Sequence, residues 1–180
     1  CNGKVDINFV FDSSSMGYKD SHDVNTFISS SISDEYLASK KFKLGLITGE
    51  CRALKGFYFN TYQTKRDILE HLDDFQKTTI ASLLEKTLKV SLKAEYGARQ
   101  GARKVAVIFL KGKLSNPERM ITNARFLRQS GIEVFVIKMD ELNSDKTLAT
   151  ITEEGNILDA TSVVNMVQVS GEFLNQLCKR

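Results

Sequence analysis

Several common functional signatures are absent from this chain of 180 residues. No apolar run approaches the ~20 residues that a transmembrane helix needs, so membrane insertion is not expected. Neither a Gly-x-Gly-x-x-Gly nor a phosphate-loop pattern occurs, which excludes the usual dinucleotide and nucleotide fingerprints. There is no Asn-x-Ser/Thr sequon to support N-glycosylation. The two histidines, His22 and His71, fall on predicted helices without a nucleophile signature nearby, so no catalytic residue is predicted.

A strong excess of positive charge is also lacking, because the formal net charge is only +3. This value is too small to imply nucleic-acid binding. The basic residues nevertheless concentrate between Lys93 and Arg128. One interpretation is a solvated helix face and loop; the other is a patch for an acidic partner, such as a sulfated glycan or an acidic matrix protein. The candidate patch consists of Arg99, Arg103, Lys104, Lys113 and Arg119.

Cysteine is scarce, with three residues at Cys1, Cys51 and Cys178. The termini of many α/β domains lie close together, so a Cys1–Cys178 disulfide is sterically plausible. Such a bond would indicate an oxidising compartment. The alternative is that these are buried free thiols. Cys51 is left over, either as an inert thiol or as an intermolecular link. No signal peptide is visible, but the chain opens on Cys1, so we expect a segment of a longer precursor.

Apolar and polar residues alternate in a pattern that predicts strands and helices in turn. The predicted strands are Val5–Phe11, Phe42–Thr48, Leu54–Phe59, Lys104–Leu110, Glu133–Met139 and Asn156–Asp159. The predicted helices are His22–Leu37, Thr64–Phe75, Thr79–Leu92, Glu118–Gln129, Lys146–Glu153 and Val163–Leu177. Thr64 and Asn116-Pro117 are helix-start signals, and Gly131 is a helix-end signal.

This order predicts one α/β domain over residues 1–180, with a doubly wound, mostly parallel six-stranded sheet and helices on both faces. The link before Leu54–Phe59 is too short for a parallel crossover, so that strand is predicted to be an antiparallel edge strand. Ligands bind such sheets beyond the carboxyl ends of the strands, where the strand order reverses. Asp12–Ser15 and Lys111 follow two strands that should end there. A carboxylate followed by hydroxyls suits magnesium, whereas a lysine does not.

Four segments carry a resemblance to a known family: Phe9–Ser15, Phe42–Ile47, Lys104–Phe109 and Gly131–Ile137. On these segments the chain resembles a von Willebrand factor A domain over nearly its whole length. With the terminal cysteines and an altered motif after the fourth strand, it is most similar to collagen VI-type A domains. The resemblance implies an extracellular adhesion or assembly module without chemistry of its own.

The family's metal site uses Asp-x-Ser-x-Ser, a threonine from a later loop and an aspartate after the fourth strand. Asp12 and Ser14 match the first two positions, and the third falls on Met16 unless Ser15 substitutes. The threonine maps best onto Thr78, with Thr79 the neighbouring choice. The family's Asp-Gly becomes Lys111-Gly112 in this chain.

Lys111 therefore predicts a degenerate site that binds no divalent metal, with Mg²⁺ possible only if the site is restored. Two hypotheses remain for this lysine. Its ammonium either pairs with Asp12 as a tethered substitute cation, or extends into solvent while Asp12 accepts hydrogen bonds from its own turn.

The expected function is a secreted matrix adhesion or assembly module that binds collagens or other matrix proteins, with sulfated glycans as further candidate partners. The alternative is a phosphate- or nucleotide-responsive α/β signalling domain resembling a receiver, in which Asp12 and Lys111 would be functional. Receivers place an acidic pair before the phosphorylated aspartate, and this sequence contains no such arrangement.

Overall fold

The structure, a computed structural model, describes residues 1, 3–49, 64–75, 79–87, 89, 92–163 and 165–179. Within these ranges five strands form one parallel sheet in the spatial order β2-β1-β3-β4-β5. The strands are β1 (Val5–Phe11), β2 (Phe42–Thr48), β3 (Arg103–Leu110), β4 (Ile132–Lys138) and β5 (Ile157–Asp159).

Seven α-helices and two 3₁₀ turns connect these strands in the described ranges. None of the helices there is long and apolar enough to cross a membrane. The α-helices are α1 (Tyr18–Ser30), α2 (Asp34–Ala38), α3 (Lys65–Phe75), α4 (Ile80–Lys86), α5 (Pro117–Gln129), α6 (Asp145–Ile151) and α7 (Met166–Cys178), and the 3₁₀ turns are Ala94–Tyr96 and Glu154–Asn156.

The predicted α/β class with a mostly parallel sheet is confirmed. The predicted strand count requires correction, because the described sheet has five strands and every pairing in it is parallel. The antiparallel edge strand predicted over Leu54–Phe59 lies outside the described residues, as does Cys51.

The sheet separates two apolar layers, as alternation along β3 makes plain. Val105, Val107 and Phe109 pack with residues of α1 and α7, including Phe27 and Phe173. Ala106, Ile108 and Leu110 pack on the opposite face with residues of α4, α5 and α6. All six of these β3 side chains are essentially inaccessible to solvent. A central parallel strand covered on both faces needs this nearly continuous apolar sequence.

Serine side chains divide the predicted helix His22–Leu37 into two helices. Ser31 ends α1, and its hydroxyl donates to the Phe27 carbonyl at 2.8 Å. Ser33 begins α2 as its N-cap, accepting a hydrogen bond from the Tyr36 N–H at 3.1 Å. A single helix is therefore wrong, because serine satisfies terminal backbone groups better than it sustains a helix interior. At α5 the predicted signals are confirmed, since Asn116 caps the helix, Pro117 occupies its first turn and Gly131 follows with φ +74°.

Arg99 anchors the amino-terminal end of the sheet. Its Nε donates to Asp6 Oδ1 at 2.7 Å, and its backbone N–H donates to Asp6 Oδ2 at 2.5 Å. The guanidinium also donates to the carbonyls of Val5, Lys40 and Lys41. Asp6 is 4% exposed, so its charge depends on this arginine. One side chain thus joins the start of β1, the turn before β2 and the loop before β3.

The two terminal cysteines lie at this same end of the molecule. Cys1 and Cys178 are in contact, with their Cα atoms 4.2 Å apart, across a sequence separation of 177. Arg103 supports the arrangement by donating to the Leu177 carbonyl at 2.6 Å while its Nη2 donates to Glu133 Oε2 at 2.7 Å. The start of β1 and the end of α7 therefore meet, as proximity of the termini predicted.

Arg99→Ala is expected to lower the free energy of unfolding by about 3–5 kcal/mol, because it removes the guanidinium that compensates the buried Asp6 carboxylate. Urea denaturation measures this change. The matched control is Arg125→Ala, at an exposed position of α5, for which a change within about 0.5 kcal/mol is expected. A loss below about 1 kcal/mol in Arg99→Ala would show that the Arg99 contacts are not the anchor of this end.

Glu85 gives a second prediction, concerning acid stability. Hydrogen bonds from Lys89 and then Arg119 lower the pKa of Glu85 from 4.5 to about 2. A depressed carboxyl pKa stabilises the fold above the unfolded value and loses that contribution as pH falls from 4.5 towards 2. Glu85→Gln should therefore be less stable than the parent at pH 7, with the difference vanishing near pH 2. Denaturant midpoints across this range test the expectation. Glu70→Gln, at an exposed position of α3, is the control for removing one carboxylate.

Candidate functional site

The loops that follow β1 and β3 meet at the carboxyl-terminal edge of the sheet. The two strands are adjacent and in register, with Phe11 opposite Phe109. From β1 the chain crosses to β2 on one side, while β3 and β4 lie on the other, so the strand order reverses here. This is where an open α/β sheet binds ligands. Asp12 and Lys111 both lie at this edge, as the sequence predicted.

The Asp12 carboxylate is held by hydroxyl and amide donors on both of its oxygens. Oδ1 accepts from the Ser14 N–H at 3.2 Å and from the Ser14 hydroxyl at 2.5 Å. Oδ2 accepts from the Thr79 N–H at 2.6 Å and from the Thr79 hydroxyl at 3.0 Å. Asp12 is 1% exposed, so these donors take the place of water around its carboxyl group. Asp12, Ser14 and Thr79 therefore bring four side-chain oxygens together.

A second set of hydrogen bonds fixes the loop against β2. The Ser13 hydroxyl donates to the Gly49 carbonyl at 3.2 Å and accepts from the Thr48 hydroxyl at 2.7 Å. The Ser15 hydroxyl is turned to the Asp12 backbone carbonyl at 2.9 Å. Gly49 is required by close approach, since a Cβ at this position would lie 2.4 Å from Asp12 Oδ1.

Two positions of the predicted ligand pattern remain: the third position of Asp-x-Ser-x-Ser and the threonine of the later loop. Met16 is 8% exposed and packs in the apolar layer with α1 and α7, so this position supplies no oxygen. Ser15, the predicted substitute, directs its hydroxyl to the backbone. Thr78 lies outside the described residues, whereas Thr79, the neighbouring choice, contacts Asp12 directly.

Lys111 pairs with a carboxylate that the sequence reasoning did not consider. Its Nζ lies 3.5 Å from Oδ2 of Asp20, in the first turn of α1. The tethered-cation hypothesis named Asp12 as the partner; the ion pair formed by Lys111 is with Asp20 instead. Both side chains are partly exposed, at 31% and 23%. An acidic residue in a first helical turn is common because of the helix dipole, so Asp20 carried no distinctive signal.

The loop after β3 is joined to the loop after β4, which the sequence reasoning also missed. The Gly112 N–H donates to Asp140 Oδ2 at 2.6 Å, and Asn143 Nδ2 donates to the Gly112 carbonyl at 2.9 Å. The Leu142 N–H donates to Asp140 Oδ1 at 3.0 Å. These bonds fix the backbone beside Lys111, so the ammonium extends from a braced loop.

Lys138 adds a charged cluster at the ends of β4 and β5. Its Nζ lies 2.6 Å from Glu141 Oε2 and 3.0 Å from Asp145 Oδ1. Hydrogen bonds that Lys138 donates to Glu141 and then Asp145 raise its pKa. Hydrogen bonds from the Thr161 hydroxyl and N–H, and the nearby Lys138 charge, lower the pKa of Asp159. The cluster has one ammonium against three carboxylates, so it is net negative, and its contacts fix the two strand ends.

The predicted basic patch is divided between the two ends of the sheet. Arg99, Arg103 and Lys104 lie at or near the start of β3, whereas Lys113 follows the end of that strand. Arg99 pairs with Asp6, Arg103 with Glu133 and Arg119 with Glu85. The five residues therefore form no common surface, because residues near in sequence lie at opposite ends of a strand.

Comparison with known proteins identifies relatives of this fold and site. The family model described as von Willebrand factor type A domain matches residues 6–176. The chain is 31% identical to mouse collagen alpha-1(XX) chain over 138 residues, covering 74% of this chain and 10% of that protein. It is 26% identical to mouse collagen alpha-5(VI) chain over 149 residues, covering 79% of this chain and 6% of that protein. The expected similarity to collagen A domains is thus confirmed.

Solved structures show the same fold at lower sequence identity. Proximal thread matrix protein 1 from the mussel byssus aligns with a TM-score of 0.71 at 18% identity, covering 98% of this chain and 48% of that one. A further structure of that protein, described as having a zinc-occupied MIDAS motif, aligns at 0.67 and 17% identity, with the same coverage. Manganese-loaded Plasmodium vivax TRAP protein aligns at 0.60 and 16%, covering 98% of this chain and 74% of that one.

Gly49→Ala is expected to destabilise the protein by on the order of 1–3 kcal/mol, because the added methyl group overlaps Asp12 Oδ1 and must displace the loop. Chemical denaturation measures the change. Gly171→Ala is the matched control, since its Cβ would meet nothing within 4 Å and alanine is favoured inside α7 by up to about 1 kcal/mol. The close approach would be refuted if both substitutions shifted stability in the same direction.

Proposed function

Because the chain belongs to the von Willebrand factor type A domain family, we propose that it is a secreted, non-enzymatic module of the extracellular matrix that binds matrix proteins such as collagens. Two relatives with this domain are collagen chains, which supports a matrix setting. The chain spans a tenth or less of their length, consistent with one module of a longer multidomain chain. The contact between Cys1 and Cys178 supports a disulfide and an oxidising compartment.

We further propose that this module works without a divalent metal at the carboxyl-terminal edge of the sheet. The observation that carries the proposal is the Lys111 ammonium. It extends from the loop at the same sheet edge as Asp12, and its Nζ lies 3.5 Å from Asp20 Oδ2. Asp12, Ser14 and Thr79 supply oxygens suited to a hard cation. Met16 supplies none, and Lys111 brings a positive charge where the family pattern has a carboxylate. This set does not fit a resident Mg²⁺.

The magnitudes favour this interpretation. Two unit charges ~4 Å apart interact by roughly 4 kcal/mol at an effective dielectric near 20. Exchanging an attractive carboxylate for a repulsive ammonium changes the site by about twice that amount. A millimolar dissociation constant corresponds to only about 4 kcal/mol of binding free energy. At such a separation the substitution outweighs the whole affinity of a weak magnesium site.

The proposed contact surface surrounds Lys111. Tyr18 precedes Asp20 in α1 and is 90% exposed, and Leu142 is 64% exposed on the loop braced to Gly112. An exposed aromatic and an exposed aliphatic side chain, on the helix and the loop that contact the Lys111 segment, would give a partner apolar area as well as a charge to bind.

Lys111→Asp is expected to restore binding of Mn²⁺ or Mg²⁺, because it removes the repulsive cation and returns a carboxylate to the oxygens of Asp12, Ser14 and Thr79. Isothermal titration calorimetry measures binding of the metal alone. The parent and Lys113→Asp, which adds the same charge two residues further on, should show no stoichiometric binding.

Solid-phase binding to collagens, with and without chelator, examines the module itself. Binding that persists in chelator is expected. The ion-free proposal fails if the parent binds Mn²⁺ stoichiometrically at micromolar to millimolar concentration, or if chelator abolishes adhesion. If the parent bound none of the collagens or other matrix proteins tested, the adhesion assignment would be refuted, while the calorimetric result on metal binding would still hold.

A further inference from the structure

Lysines gather at the end of the sheet opposite Lys111. Five of them are exposed, and Lys104 is half-buried. They come from the residue before β1, the turn before β2 together with β2 itself, β3, and the residue after α7. We call them the amino-terminal lysine cluster: Lys4, Lys40, Lys41, Lys43, Lys104 and Lys179.

Strand register brings the cluster together. Asp6 of β1 lies opposite Lys43 of β2 and Lys104 of β3, so the three side chains form a row across three adjacent strands. Just before that row, the Val5 N–H donates to the Lys41 carbonyl at 2.8 Å, and the Arg103 N–H donates to the Lys4 carbonyl at 3.0 Å. Contact between Cys1 and Cys178 brings Lys179 to the same end.

The acidic groups at this end do not neutralise the cluster. Asp6 is engaged by Arg99, and Glu133 by Arg103. Among the residues that the structure describes, none of the six lysines forms an ion pair within 4.0 Å. Asp34 and Glu35 of α2 precede β2, and Glu153 and Glu154 precede β5; these four carboxylates are fewer than the six lysines, so an excess of positive charge remains. The arginines are occupied internally, so the lysines carry the outward charge.

We infer that this end of the sheet binds a sulfated glycan. Lysine is depleted in the cores of protein–protein interfaces, whereas aromatic residues, Met and Arg are enriched there. An end that displays lysines and keeps its arginines inside therefore suits a flexible polyanion better than a folded acidic protein. Compact ammonium groups on flexible stems can each meet a separate sulfate. The inference does not depend on the proposed adhesive contact, which lies at the other end of the sheet.

A cleft beside the cluster extends the surface. It has a volume of about 330 Å³ and is lined by Lys43, Lys86 and Tyr96, among other residues. The Lys43 ammonium donates to the Gly97 carbonyl at 2.6 Å, which holds it at the rim. Tyr96 is 62% exposed and offers an apolar ring face with a polar tip, a suitable contact for a sugar ring.

The test is binding of a size-defined heparin oligosaccharide to the whole chain, measured by titration calorimetry at several salt concentrations. The cluster variant is Lys4→Glu/Lys41→Glu/Lys179→Glu, and the matched control is Lys65→Glu/Arg125→Glu/Lys146→Glu, with the same change in charge at exposed sites elsewhere. The cluster variant should lose about tenfold or more in affinity and show a shallower salt dependence, because fewer counterions are released. The control should stay within about twofold.

A milder variant, Lys43→Gln/Lys104→Gln, removes charge beside Asp6 and should also weaken binding, so the inference can be tested even if charge reversal impairs folding. Equal losses in the cluster variant and the control would refute a defined site in favour of general charge attraction. Absence of binding by the parent would refute it outright. Polyglutamate competing as strongly as heparin at equal charge would overturn the glycan assignment in favour of an acidic peptide.

Discussion

Parallel pairing of β1 with β2 and β3 is the constraint on which both ends of this molecule depend. All three strands run in the same direction, so their carboxyl ends share one edge and their amino ends share the other. The first edge brings Asp12 beside the loop of Lys111, and the second brings Lys43, Asp6 and Lys104 into one row. Residues far apart in sequence therefore become neighbours through register alone. Close packing of the β3 side chains into two different apolar layers holds that register, because a slip of one residue would move side chains fitted to one layer into the other.

The ion pairs at the two ends of the sheet differ in burial. At the amino-terminal end, Asp6 is buried and accepts a hydrogen bond from the Arg99 guanidinium. The same guanidinium donates to three backbone carbonyls. Such a pair is costly to break from one side. At the carboxyl-terminal edge, Lys111 and Asp20 are both partly exposed, and an ion pair of this kind contributes about 0–1 kcal/mol. The first pair therefore serves the fold, whereas the second can be rearranged at little cost.

The fold class and the location of the site could be predicted because they depend on short-range pattern. An apolar strand followed by Asp12 and three serines indicates a strand end with oxygen donors, and neighbouring strand ends must share an edge. The partner of Lys111 could not be predicted, because Asp20 is an ordinary acidic residue of a first helical turn. The basic patch was wrong for a related reason. Lys104 and Lys113 are near in sequence, but β3 has eight residues, each rising about 3.3 Å, so its two ends lie roughly 25 Å apart.

Replacing a metal by a lysine, as proposed here, changes what a partner can contribute. A hard divalent ion accepts six or more oxygen ligands in a fixed geometry. An ammonium instead donates up to three hydrogen bonds from a flexible stem. Asp20 engages part of that capacity, so a partner's carboxylate would share or displace a weak existing pair rather than complete a coordination shell. The exposed Tyr18 and Leu142 then matter more than they would beside a metal, because the cation alone supplies little net affinity in water.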